Sequence, residues 1–399
     1  MRYSAEVNGD ARGARFRLER MLPRDPDEPH RTASSLELFF DLVFVVAVSI
    51  ASAQLHEQLR DGNVQGGIVT YLMVFFAIWW AWMNFSWFAT SFDTDDWLYR
   101  VVTIVQMSGV LVLAAGIGPV YESGDLRLLV VAYVVMRVAM IAQWLRAAAS
   151  GRVHRRTALT YAVGIASVQV LWALFLLVPV GGLRLVGFAA LVVVELAVPV
   201  IAERQALTPW HPHHITERYS AFTLIVLGET VLASAGAVIS ALDVVETLLP
   251  LIGIAALTLV SAASMWWIYF WPPHHRAIGS LAQSLRYGYV HYFVLAAAAA
   301  FSVGIELQID VLTGATRASD RDASFAVAIP IAVFLMGIWW VAIRICADRV
   351  VNVVVPLAAI VVLVDALLLP SSVLVTCATL VAVVVVLVMR DPVARTVRS

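Results

Sequence analysis

The sequence predicts an all-α integral membrane protein of about twelve transmembrane helices, arranged as two parallel six-helix repeats. Three observations lead there. The 399 residues are 61% hydrophobic and 14% charged, with a mean hydropathy of +0.84, against roughly 45–50% apolar and about 25% charged in ordinary globular chains. The apolar residues fall in long runs, each near the ~20 residues a helix needs to cross a bilayer core. Finally, one pattern is written twice: acids in an apolar run, a Trp-Trp pair, then an Arg. It reads Glu37 and Asp41, Trp79-Trp80, Arg100 in the first half, and Glu217 and Glu229, Trp266-Trp267, Arg286 in the second.

Taken in order, residues 1–34 form a polar tail with seven Arg and six acids, broken by Pro23, Pro26 and Pro29. It lacks the early apolar core of a secretory signal, so it is expected in the cytoplasm. Twelve spans follow, at 36–56, 64–91, 98–118, 126–147, 157–178, 184–203, 215–240, 244–271, 286–309, 323–345, 349–368 and 371–390. Helix is the expected state of each, because lipid offers an unpaired backbone group no partner. The connectors are short and carry breakers or acids: Asp61-Gly62, Pro119, Gly151, Gly181-Gly182, Pro209, Pro272-Pro273, Pro370. Spans one to six make a first repeat, 35–204, and spans seven to twelve a second, 205–390, with a cytoplasmic tail at 391–399. Spans one to three match seven to nine best. Six crossings return the chain to the same face, so the repeats are parallel, related by an axis along the membrane normal.

Arg placement orients the bundle. With the N-terminus inside, inner segments carry 21 Arg and outer segments five, namely Arg60, Arg127, Arg184, Arg317 and Arg321. The positive-inside rule then places both termini in the cytoplasm and the protein in the cell's inner (plasma) membrane.

Several classes are excluded or unsupported. A net charge of −1 argues against nucleic acid as a partner. Cys346 and Cys377 are too few for a disulfide framework. There is no Gly-rich phosphate loop, no His-Glu-x-x-His and no Gly-x-Ser-x-Gly. No catalytic residue, cofactor or metal site is therefore assigned. His211, His213 and His214 before span seven, and His274 and His275 after span eight, match no ligand motif; His213 and His214 are spaced to converge with Glu217. The lipid bilayer and a small ion or solute are the expected partners, and the sequence sets no oligomeric state.

The chemistry lies in charges within the spans. An ionised acid at the bilayer centre costs about 2.5–3.5 kcal/mol on insertion scales, so such groups face the bundle interior and find partners. Glu37 and Asp41 are four residues apart and share a helix face. Arg100 and Arg286 sit at the inner ends of their spans, the depth where Glu37 and Glu217 enter, and are the expected counter-charges. Glu229 lies near the middle of span seven, after Gly228, which is expected to admit a neighbouring helix. Arg137 and Glu195 are placed to pair, while Glu306 lies near the outer end of span nine and is expected to reach water. Trp79, Trp80, Trp266 and Trp267 sit mid-span and are candidates to line a pathway. The candidate ion- or substrate-binding set is Glu37, Asp41, Arg100, His214, Glu217, Arg218, Glu229 and Arg286.

These residues carry a resemblance. Glu37-Leu-Phe-Phe-Asp41-Leu-Val-Phe44, Trp79-Trp80-Ala-Trp82, Phe92-Asp93-Thr-Asp95-Asp96 with Arg100, His214-Ile-Thr-Glu217-Arg218 and Leu227-Gly228-Glu229 resemble the bacterial low temperature requirement A family, over roughly 33–390. The resemblance implies a polytopic membrane protein and selects which charges matter; it implies no substrate. The paired six-span plan is also distantly similar to a family of endolysosomal potassium channels, which place Ser before the span-one Asp where this chain has Phe40. The leading function is a transporter or channel for a small ion or solute, with or without proton linkage, its pathway expected between the two repeats and lined by Asp41, Glu229 and the Trp pairs. A membrane-embedded enzyme acting on lipid or isoprenoid, and a sensor or scaffold, stay open beside it.

Overall fold

The computed structural model describes residues 18–25, 28, 32–92, 94–242, 249–368, 373–390 and 392. Most of both tails, Pro26, Pro29, Asp93 and the Pro370 break between the last two spans lie outside the described residues. Among them there is no strand. The helices are α1 (Ser35–Arg60), α2 (Val64–Phe92), α3 (Trp97–Ser123), α4 (Arg127–Ser150), α5 (Arg155–Phe175), α6 (Gly182–Glu203), α7 (Pro212–Ala241), α8 (Leu249–Phe270), α9 (Leu281–Thr313), α10 (Asp320–Cys346), α11 (Arg349–Leu368) and α12 (Val373–Val388). The first eleven are long and apolar enough to cross a membrane. With 16 residues, α12 extends only ~24 Å. The chain is an all-α, multi-pass membrane protein.

Local chemistry sets the helix ends. Asp96 caps α3 by accepting from Tyr99 N–H, and Gly124 ends that helix at φ 69°, the left-handed cap that favours glycine. Two boundaries differ from the sequence reading. Pro119, expected in a connector, lies inside α3 near its C-terminus, where its carbonyl accepts from Asp125 N–H at 3.2 Å. In α9, Ser280 caps the helix by accepting from Gln283 N–H, so it starts before Arg286 rather than at it. Capping, not hydropathy, decides both ends. In α10 the ladder slips into a π-helical turn at Trp339–Ile343, and the Arg344 guanidinium lies 4.0 Å over the Trp340 ring.

The chain groups into two compact units: Met1–Phe44 with Trp80–Ile215, and Val45–Trp79 with Thr216–Ser399. In unit 1, α3 packs on α4, α4 on α5 and α5 on α6. The α3–α4 approach depends on small residues: a Cβ on Gly109 would lie 2.6 Å from Met136 Cγ, and one on Gly116 3.0 Å from Leu128 Cβ. In unit 2, α9 packs on α10, α10 on α11, and α12 on α8 and α11. There Gly304 of α9 touches the α10 backbone so closely that a Cβ would collide with the Ala326 carbonyl. Helix pairs in lipid gain from such backbone approach, because no hydrophobic effect drives them together there. Gly228 does not do this. Nothing lies within 4 Å of a Cβ built on it, because it faces outward from α7.

Candidate functional site

In unit 1, α1 opens on a reciprocal cap. Ser34 N–H donates to Glu37 Oε2 at 2.7 Å and Glu37 N–H to Ser34 Oγ at 3.3 Å. The Glu37 side chain is 1% exposed, and its two oxygens lie 3.2 and 3.3 Å from His214 Nε2. His214 therefore turns to Glu37, while His213 is exposed; the expected convergence of both on Glu217 is replaced. His211 orders this helix start: its Nε2 bonds the Glu28 carbonyl at 2.9 Å, so its Nδ1 is the acceptor for His214 N–H at 3.2 Å.

Two further buried acids of unit 1, Asp41 and Glu195, take hydrogen bonds from indoles. Trp82 Nε1 donates to Asp41 Oδ1 at 2.6 Å, and both side chains are fully buried. Trp80 Nε1 donates to Glu195 Oε2 at 2.6 Å, and Trp172 Nε1 to its Oε1 at 3.1 Å, with Gln169 Nε2 at 3.4 Å. Arg137 Nη2 lies 3.8 Å from the same carboxylate, with its guanidinium 5.0 Å from the Tyr133 ring centroid. Indole brings a donor to a buried carboxylate without adding a second charge to desolvate. Trp80 is thus a ligand of Glu195, not an open pathway wall. Trp79, one residue earlier but in unit 2, is 1% exposed and packs on Tyr292 and Tyr289 at 5.4 and 6.3 Å between centroids.

Other expectations are corrected. Arg100 does not reach the acids of α1. It is exposed and forms a two-bond fork to Asp95, 2.9 Å on each arm, because α3 begins at Trp97 and leaves Arg100 on its first, solvated turn. The adjoining Asp96 is the engaged acid: it accepts from Arg146, Tyr99 N–H and Glu19 N–H. Burial alone would raise its carboxyl, but those bonds outweigh burial and hold it below the usual carboxylate range. Trp266 and Trp267 are each 43% exposed on α8, their rings edge to face at 5.9 Å. Glu217 and Arg286 are half-buried, and Arg218 is fully buried on α7. Glu306 does not simply reach water, as follows.

Unit 2 holds the cluster with the most chemistry. Ser49 Oγ of α1 donates to Glu229 Oε1 at 2.5 Å, near the middle of α7. Two turns along α1, His56 sits between two acids of α9: Nδ1 lies 3.3 Å from Glu306 Oε2, and Nε2 bonds Asp310 Oδ2 at 2.8 Å. Arg60 Nε adds a charge 3.8 Å from Asp310, and Glu306 also feels the field of Glu229. Between Ser49 and His56 stands Ser52, 5% exposed, its hydroxyl without a partner among the described residues. A cavity of about 510 Å³ at the helix ends is lined by Glu57, Arg60, Asp61 and 314–317. An ionised carboxylate only accepts, and a neutral imidazole has one N–H. Two carboxylates on one ring therefore match an imidazole protonated on both nitrogens, or a proton on one acid. The cluster is a proton-holding arrangement. Among the described residues no group of three or more His, Cys, Asp or Glu side chains is arranged to hold a metal ion.

His56, Glu306, Asp310 and Ser49 were absent from the sequence-derived set. A signal was present: Ser49, Ser52, His56 and Arg60 follow spacings of three and four residues, which places them on one face of α1. Glu306 and Asp310 repeat the spacing on α9. Reading acids one at a time passed over it.

A family model described as bacterial low temperature requirement A protein (LtrA) matches residues 32–388. An uncharacterized protein of Rhizobium meliloti (strain 1021) is 29% identical over 259 residues, 61% of this chain. The matched stretch spans 60% of that relative's length.

Proposed function

The chain belongs to the bacterial low temperature requirement A (LtrA) family, and from that premise we propose that it is a transporter or channel for a small ion or solute, worked by proton binding in unit 2. One observation carries the reading: His56 is held between Glu306 and Asp310, on the helix face that also presents Ser49 to Glu229. Titratable groups within a span are costly to keep and mark ion pathways and proton relays. Here they run in sequence from mid-helix to a helix end. Loss or gain of one proton changes the charge seen by a cation at Glu229. The Arg bias supports a plasma-membrane location with both termini cytoplasmic, which puts the His56 end on the extracytoplasmic side. The lipid bilayer is then the solvent, a small ion or solute the cargo, and nucleic acid no partner.

Purified protein in proteoliposomes, with an internal pH dye and imposed Na⁺, K⁺ or pH gradients, tests this. Wild type should carry a flux that depends on pH. Glu229→Gln should lower it on the order of tenfold or more, and His56→Asn should remove its pH dependence. Absence of proton, cation or solute movement, or wild-type behaviour in both variants, would overturn the proposal.

A further inference from the structure

The geometry points to a binding site for a phosphate-bearing anion in unit 1, remote in sequence from the α1–α7–α9 acids. A cavity of about 730 Å³ lies where α4 ends and α5 begins, and its lining includes Glu19, Arg20, Arg146, Ser150, Arg152 and Arg155. One wall is the segment before α1, and it is fastened in place. Glu19 N–H donates to Asp96 Oδ2 at 3.1 Å, Arg146 Nη2 to the Glu19 carbonyl at 2.9 Å, and Met21 N–H to Ser150 Oγ at 3.0 Å, with Met21 1% exposed. Arg24 N–H adds a bond to the Ser91 carbonyl at 3.0 Å. The cavity is thus built, not a gap beside a loose tail.

Its charge is unbalanced. Arg146 is engaged by Asp96. Arg20, Arg152 and Arg155 are exposed and make no ion pair among the described residues, and Glu19 is the cavity's one acid. Three guanidinium forks converging on a cavity suit the planar, multi-oxygen face of a phosphate. The first N–H groups of α5 add to this, because its cap residue His154 makes no side-chain cap bond. Basic pockets at the ends of membrane helices commonly take anionic headgroups. The surroundings fit that source: Val153, between the arginines, is 78% exposed, and α5 continues with exposed Leu159, Val163 and Val170 along which acyl chains can lie.

The test uses the full chain in neutral detergent, free of phosphate, with thermal unfolding followed by Trp fluorescence. Three probes are titrated: inorganic phosphate, short-chain phosphatidylglycerol and short-chain phosphatidylcholine. Wild type should gain melting temperature with phosphatidylglycerol and far less with phosphatidylcholine. Arg152→Gln/Arg155→Gln should start from the wild-type melting temperature and need about tenfold or more lipid for the same gain. A gain with inorganic phosphate alone assigns the site to a free phosphate; a gain with phosphatidylglycerol only assigns it to a headgroup. If neither anion shifts wild type, or the double variant responds like wild type, the site does not exist. Should the double variant unfold early, Arg20→Gln makes the same comparison.

Discussion

At the residue scale, the chain brings indoles to two buried carboxylates. The Trp82 indole reaches Asp41, and those of Trp80 and Trp172 reach Glu195, with Arg137 3.8 Å from the latter. That the acids would be buried followed from the sequence, since an acid in an apolar span is expensive to leave in lipid. Arg137 beside Glu195 followed too, by matching depth, but the indole partners did not. For the acids of α1 the expectation was Arg100, judged by depth, but depth along a helix says nothing of azimuth, and Arg100 found Asp95 instead. Of these indoles Trp80 stood as a pathway candidate, Trp82 only within the motif of the family resemblance, and Trp172 not at all. The difference has a measurable form. Trp82→Phe keeps most of the ring's bulk but removes the indole N–H from Asp41, and should destabilise the protein by about 1–3 kcal/mol, the cost of losing a hydrogen bond to a buried carboxylate. Trp266→Phe, at a 43%-exposed ring, should fall within about 0.5 kcal/mol. Detergent melting curves of the two variants make the comparison. Equal losses would mean that ring volume, not the N–H, matters at Trp82.

At the element scale, helix positions and number were legible because length and hydropathy alone decide which stretch crosses a bilayer. Helix ends and helix contacts were less so. Gly228 and Gly304 look alike in sequence, each one of two glycines in a long apolar helix. Gly228 points outward with open space around it, whereas Gly304 meets the Ala326 carbonyl of α10. Which of two glycines carries a close approach depends on rotation about the helix axis, and these helices have apolar residues on nearly every side, so no amphipathic stripe fixes that rotation. Gly304→Val should therefore push α9 from α10 and destabilise by about 1–3 kcal/mol or more. Gly228→Ala should be neutral or stabilise by up to about 1 kcal/mol through helix propensity. Urea or thermal unfolding of both variants decides the matter; a tolerated valine at 304 would show that the α9–α10 contact yields without cost.

At the scale of the whole molecule, the question is whether the chain truly crosses twelve times, since α12 is shorter than a bilayer core is thick. Contacts inside each unit answer through parity. In unit 1, the segment before α1 bonds Asp96 and Ser150, and Thr157 Oγ1 bonds the Ala206 carbonyl, so positions after none, two, four and six helices meet at one end. In unit 2, Thr316 Oγ1 and Arg317 N–H both bond the Arg60 carbonyl, joining positions after one and nine helices. Trp271 Nε1 bonds the Leu387 carbonyl and Arg390 bonds Asp348, joining positions after eight, ten and twelve. Within each unit even meets even and odd meets odd, and α12, with its 16 residues, ends beside the start of α11. Twelve crossings would alternate the connectors between two sides, and the Arg bias predicts which side is inside, so a labelling experiment tests both. Cys346 and Cys377 are buried thiols and can be replaced by Ala to give a background without thiols. Ala315→Cys should then react with a membrane-impermeant maleimide on intact cells, and Arg204→Cys only after the membrane is opened. Labelling of both from outside would break the parity. The reverse pattern would keep the twelve crossings, turn the termini outward, and move the His56 cluster to the cytoplasmic side.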